Sequence, residues 1–259
     1  MSASSLSSLQ AICGLDDGPR GALSDDEVAE AYPWPVAGGW VRAMMVTTLD
    51  GAAAGPDTLS GSVSSEADQR VFRAVRRFAD VVLVGAETLR VEQYTPMLAR
   101  PSDAQRRAAE GQLPAPVIAV VSRSLQLPWE LPVWSESSVR PLILTSAASA
   151  HAADGRLARA QEHADVIELD DTTPTQLLEA LLARGLRRVV CEGGPRLLRD
   201  LVAEGALDEA DITLAPLFAG TGTSPHTGVL SPPRAGRLVH LLRGGDDFLM
   251  ARYVMGEAA

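Results

Sequence analysis

The residues best suited to chemistry stand in "VVCEGGPRLL" (189–198), where a β-branched run meets an acid and two glycines before a proline and a leucine-rich stretch. Gly193 and Gly194 at a strand-to-helix junction let backbone N–H groups and a helix dipole meet a phosphate or pyrophosphate. A tight turn that only needs glycine explains the same pair, since no full G-x-G-x-x-G is present. Glu192 ends an apolar strand, where a carboxylate is costly unless it bonds a donor such as a ligand N–H. Gly85-Ala86-Glu87-Thr88 repeats the arrangement, with Thr88 placed to bond a phosphate or to cap its own helix. Ser122-Arg123-Ser124 offers one charge and two hydroxyls, which suits either a polar turn or the 2′-phosphate that separates NADPH from NADH. Arg70, Arg73, Arg76 and Arg77 form a solvated helix face, from which one guanidinium can reach an anionic substrate in bidentate fashion. Asp50-Gly51 reads as a turn.

These residues are positioned by a regular alternation. "WVRAMMVTTLDG" is strand-like, and the segment from Ser64 carries Val71, Val75 and Phe78 on one helical face. "DVVLVG", "APVIAVV", "PLILTS", "ADVIELD" and "RRVVC" are further strands, with helices predicted around 156–163, 173–186 and 195–205. Strands alternating with helices imply βαβ units. In such sheets ligands bind at the carboxyl ends of the strands, where all the groups above lie. The last two strands flank Gly-Gly-Asp-Asp and predict an antiparallel hairpin. The expected architecture is a single α/β domain over 31–259, after a flexible N-terminal segment over 1–30. It has a mainly parallel sheet, helices on both faces and an antiparallel C-terminal hairpin.

Composition narrows the partners. The 259 residues are 46% hydrophobic and carry a formal net charge of −10. Such a surface repels nucleic acid and anionic lipid, while a local nest of N–H groups still accepts a phosphorylated small molecule. Two cysteines without C-x-x-C spacing and four histidines do not support a structural zinc site, so no metal is expected. A reduced, cytoplasmic protein is the simplest expectation. No basic, apolar leader and no run of about 20 apolar residues predicts export or a membrane span.

Taken together, "MVTTLDGAAA", "SSEADQRVFRAVRRFADVVLVGAETLRVE", "VVSRSLQLP" and "VVCEGGPRLLRDLVAEGALDE" resemble the reductase family of riboflavin biosynthesis. The resemblance covers roughly 40–255 and is most specific in "VGAETLR" and "CEGGPRLL". It implies a dihydrofolate-reductase-like fold, a homodimer, and NADPH-dependent reduction of a 5-amino-6-ribosylamino-pyrimidinone 5′-phosphate to the ribitylamino product. It also implies that the backbone near Val46, with Thr88, Glu92, Ser122 and the turn Gly194-Pro195-Arg196-Leu197, contacts the cofactor. Gly85, Arg123 and Gly193 stand beside that set. Ser60, Arg76 and Glu192 are implied to hold the pyrimidine. Glu192 and Asp50 are the expected catalytic groups, Asp50 for proton handling unless it only shapes a turn. Ser62 stands where bifunctional members carry a tryptophan, and Glu92 replaces an aspartate. The first 40 residues hold neither the His-x-Glu nor the paired cysteines of a zinc deaminase, so a stand-alone reductase is expected. Two other readings stay open: a reductase of dihydrofolate or another pterin, and a non-catalytic nucleotide-binding module.

Overall fold

A computed structural model of the chain describes residues 9–13, 22–152, 154–221, 230 and 232–256. Ten strands form one sheet: β1 (Leu9–Cys13), β2 (Trp40–Thr48), β3 (Val81–Gly85), β4 (Val117–Val121), β5 (Leu142–Ser146), β6 (Asp165–Leu169), β7 (Arg188–Cys191), β8 (Glu209–Ala215), β9 (Gly236–Gly244) and β10 (Leu249–Met255), in the order β1-β9-β10-β8-β2-β7-β3-β4-β5-β6. From β8 to β6 every neighbour is parallel, whereas β10 pairs antiparallel with both β8 and β9. The expected closing hairpin is present.

The helices are α1 (Asp25–Ala31), α2 (Glu66–Arg76), α3 (Ala86–Glu92), α4 (Ala104–Ala109), α5 (Val133–Glu136), α6 (Ala147–His151), α7 (Arg156–His163), α8 (Pro174–Leu182) and α9 (Pro195–Ala203). They cover both faces. Val81 and Leu83 pack toward α8 and α9, while Val82 and Val84 pack toward α3 and α7. Strands sandwiched this way must be apolar on both sides, which is why they read as unbroken runs rather than alternations.

Within the stretch 1–30, expected to be flexible, the described residues form two elements. Leu9–Cys13 pairs antiparallel with β9, and α1 buries Val28 and Ala31 against α2 and the sheet. A complete Ser24–Glu27 capping box starts that helix. Its far end is clamped by the fully buried Arg42, which donates to the carbonyls of Tyr32 at 3.2 Å and Pro33 at 2.9 Å and pairs with Glu209 at 3.1 Å.

Beside this clamp His240 is buried edge-on to Tyr32, with ring centroids 4.8 Å apart, and its Nε2 has no partner among the described residues. Burial and the Arg252 charge lower its pKa from 6.5 to about 4. Between those values the unfolded chain takes a proton that the folded chain refuses. Stability therefore falls as pH falls through that window, by on the order of 3 kcal/mol. His240→Phe is expected to flatten the urea-derived stability profile between pH 7 and 4; an unaltered slope would count against this account.

Candidate active site

The sheet splits where the sequence placed its acid and glycines. β2 pairs with β7 only from Trp40 to Ala43, yet it follows β8 as far as Thr48. Past Cys191 the chain leaves β2 and stays with β3: Glu192 N–H donates to Leu83 O at 3.0 Å, and Gly85 N–H to Gly193 O at 2.8 Å. The gap between Met44–Val46 and Glu192–Gly194 opens into a cavity of about 530 Å³.

One wall is backbone. Gly194 caps α9 without a side chain, Pro195 occupies its first turn, and the first internal bond runs from Leu198 N–H to Gly194 O at 3.1 Å. The N–H groups of Arg196 and Leu197 precede that ladder and remain available as donors. α3 opens on Gly85, also without a side-chain cap. The two turns meet closely: a Cβ on Gly194 would stand 2.7 Å from Thr88 Oγ1, and one on Gly85 would stand 3.3 Å from Gly194 N. Positive φ falls at Gly193, at +86°, and the Gly193–Gly194 peptide is cis. This wall fits a pyrophosphate, which needs bare N–H donors and no side-chain bulk.

The opposite wall is α2. Arg76 donates through Nε to Glu192 Oε1 at 2.6 Å and through Nη2 to Oε2 at 2.5 Å, and the Tyr94 hydroxyl donates to Oε2 at 2.8 Å. Burial opposes the Arg76 charge, but the Glu192 carboxylate outweighs it and raises the Arg76 pKa. Burial, then the same carboxylate, pushes the Tyr94 hydroxyl well above its usual value. The buried acid is therefore satisfied from within the chain. Two of the three guanidinium nitrogens of Arg76 are engaged by it, and Oε1 accepts from one of them. Among the described residues lining the cavity, Arg76 is the one lysine or arginine.

Val46, Ser60, Thr88, Glu92 and Pro195 also line the cavity. Glu92 accepts the Ser60 N–H at 2.9 Å, which ties a residue expected at the cofactor to one expected at the substrate. Arg196 and Leu197 contribute backbone rather than cavity-lining side chains.

Two expected site residues do not line the cavity. Asp50 lies outside the cavity and accepts from the Thr48 hydroxyl and from Gly220 N–H at 2.7 Å and Ala219 N–H at 3.2 Å, with a pKa lowered to about 2 by those bonds. It is a turn acid that anchors the loop after β8 and has no proton to give near neutrality. Ser122 is buried, with Oγ accepting Leu125 N–H at 3.1 Å, so only Arg123 and Ser124 of that triplet are exposed. The arginine face is corrected in part as well: Arg70 pairs with Asp25 and Arg77 with Asp26 and Asp103, which docks α1 and the loop before α4 onto α2.

Sequence reasoning missed Asp68, Phe72, Tyr94 and Thr213, all at the cavity. Asp68, Phe72 and Arg76 recur every fourth residue along α2, so they form one stripe beside the apolar one. That spacing is readable in the sequence.

Fold and cleft define an α/β protein with a cavity between splayed strands at the carboxyl edge of its sheet. The sequence model of the RibD C-terminal domain matches residues 39–250, and the chain belongs to that family. It is 25% identical over 188 residues to the 2,5-diamino-6-ribosylamino-4(3H)-pyrimidinone 5′-phosphate reductase of Archaeoglobus fulgidus, covering 72% of this chain and 84% of that one. The protein of the same name from Methanothermobacter thermautotrophicus is 29% identical over 175 residues, covering 67% and 76%. A pyrimidine reductase-like protein of Corynebacterium diphtheriae superposes with a TM-score of 0.78 at 26% identity, over 90% of this chain and 98% of that one.

Proposed function

We propose that the chain is an NADPH-dependent reductase of a 5-amino-6-ribosylamino-pyrimidinone 5′-phosphate. The observation that carries this reading is the pairing of a bare glycine wall with a polar α2 wall across one cavity, in a chain of this family. NADPH, when bound, supplies a hydride to C1′ of the opened ribosylamine, and a proton completes the ribityl product. Gly194, the α9 N–H groups and Thr88 would hold the pyrophosphate. The exposed Arg123 and Ser124 would favour a 2′-phosphate. Glu192 Oε1, with one donor already, keeps room for one substrate N–H. The Arg76–Glu192 pair keeps that oxygen in place.

NADPH oxidation at 340 nm with the phosphorylated pyrimidine tests the reading. Turnover is expected with NADPH, and about tenfold less at limiting cofactor with NADH, as loss of one charged contact implies. No oxidation of NADPH, despite its binding, would favour the non-catalytic module instead.

A pterin substrate is a second reading that one observation favours: the one cation among the described residues lining the cavity is neutralised by Glu192, while a buried acid, Asp68, faces the cavity beside Phe72, Met44 and Val46. Dihydrofolate in the same assay separates the two.

A homodimer is also proposed. Ile212, Leu214, Leu249 and Ala251 share one face of the β8–β10 pair, are half-buried, and belong to none of the three packed clusters. A second copy covering this face would bury them, and sedimentation velocity of Ile212→Lys reads it as dissociation. The protein is expected in the cytoplasm, and no helix among the described residues is long and apolar enough to cross a membrane.

A further inference from the structure

We propose that Asp68 reads the edge of the heterocycle and selects a 2-amino-4-oxo pyrimidine over its 2,4-dioxo counterpart. The inference deepens the reading of this cleft as a heterocycle reductase and rests on it. Asp68 stands in the first turn of α2, where Ser65 Oγ accepts its N–H at 3.2 Å. Its carboxylate is clamped from two elements: Ser64 Oγ donates to Oδ2 at 2.5 Å, and Thr213 Oγ1 of β8 donates to Oδ1 at 2.6 Å. Only 7% of the residue is exposed, and what is exposed lines the cavity together with Phe72, Met44 and Val46.

Among the described residues this acid has no salt-bridge partner, unlike Glu192. A carboxylate buried without a cation is costly unless donors satisfy it. Burial, with Asp246 adding repulsion, raises its pKa against two hydroxyl bonds that lower it. Each oxygen accepts one hydroxyl and keeps a lone-pair site, so the carboxylate presents two parallel acceptors to the cavity. Two adjacent N–H donors match that edge in bidentate fashion. A 2-amino group beside the ring N3–H provides them. In the 2,4-dioxo ring a carbonyl replaces the amino group, so acceptor faces acceptor and a desolvated acid is left unpaired. A site built to bond a donor rejects the analogue that lacks it far more strongly than an apolar pocket rejects a methylene. The Archaeoglobus relative is named for a substrate carrying the 2-amino group.

The test has two arms. The first compares kcat/KM for the two phosphorylated ribosylaminopyrimidines, 2-amino-4-oxo and 2,4-dioxo, with NADPH. The second compares binding of pterin and lumazine, which differ only in that 2-amino group, to the NADPH-loaded protein. Wild type is expected to prefer the amino form by about 100-fold in turnover and at least about tenfold in binding. Asp68→Asn presents one donor and one acceptor and is expected to bring both ratios to within about threefold. Thr213→Val keeps the acid but loosens its clamp and should shrink the ratios partway, which serves if the asparagine variant does not fold. If neither pyrimidine is reduced but the pterin preference holds, the substrate reading fails and the role of Asp68 stands. Equal affinity for pterin and lumazine in the wild type, or ratios unmoved by Asp68→Asn, would overturn the inference whatever the turnover.

Discussion

Replacing Gly194 by valine is expected to weaken NADPH binding by roughly 100-fold, about 2.7 kcal/mol, while costing the fold much less. The cause is steric rather than torsional. Gly194 has φ −72°, open to any residue, and the positive φ belongs to Gly193. A Cβ at Gly194 would stand 2.7 Å from Thr88 Oγ1, closer than real side chains approach, so the turns that open α9 and α3 would have to shift around the N–H groups proposed to hold the pyrophosphate. Each hydrogen bond from such a donor to a charged phosphate contributes about 1.5–3 kcal/mol, so displacing one or two accounts for the loss. A control separates cradle from packing. Gly194→Ala combined with Thr88→Ala removes the collision but leaves the Cβ in the cradle. Melting should recover, while affinity stays well below that of Thr88→Ala alone. Fluorescence titration with NADPH reads both, and a Gly194→Val protein that melts early but binds NADPH normally would make the glycine purely structural.

What could be read in advance follows from where information sits along the chain. The βαβ frame was legible because strands buried on both faces must be apolar throughout, as in Val81–Val84, and their helices carry local caps, as Ser65 does for α2. The closing hairpin was legible from its turn. The pairing of β1 with β9 was not, since strand partners more than 200 residues apart leave no local trace. At the site, glycines and strand-end acids announced themselves by type. Their partners did not: that Arg76 meets Glu192 depends on how α2 crosses the gap between β2 and β7. The choice between a turn role and proton handling for Asp50 stayed open for the same reason. Its distance from the cavity is set by the loop after β8, which supplies the Gly220 N–H that holds it.

The Arg76–Glu192 pair is expected to show the largest effect on stability. Arg76→Met leaves Glu192, whose side chain is 2% exposed, with the Tyr94 hydroxyl as its one side-chain donor among the described residues. Removing one partner of a buried pair strands the other charge and costs about 3–5 kcal/mol. The guanidinium also lies 4.2 Å from the Phe72 ring centroid, a contact worth about 0.5–1 kcal/mol more. Removing both charges in Arg76→Met/Glu192→Leu should restore most of the loss in urea denaturation, because the pair's desolvation cost disappears with it, while reductase turnover stays absent. A single variant within about 1 kcal/mol of wild type would mean that the pair is not closed in solution. The functional arm is Glu192→Gln, which keeps the shape and the Tyr94 bond but offers the guanidinium only one neutral acceptor. It is expected to lower kcat/KM by about one to two decades, the size of a charged hydrogen bond, with NADPH affinity barely changed. That split follows from geometry: Glu192 is paired to Arg76 of α2, whereas the donors proposed for the cofactor lie at the start of α9 and α3. Should Glu192→Gln instead lose NADPH and keep its substrate kinetics, the two walls of the cleft hold the opposite ligands.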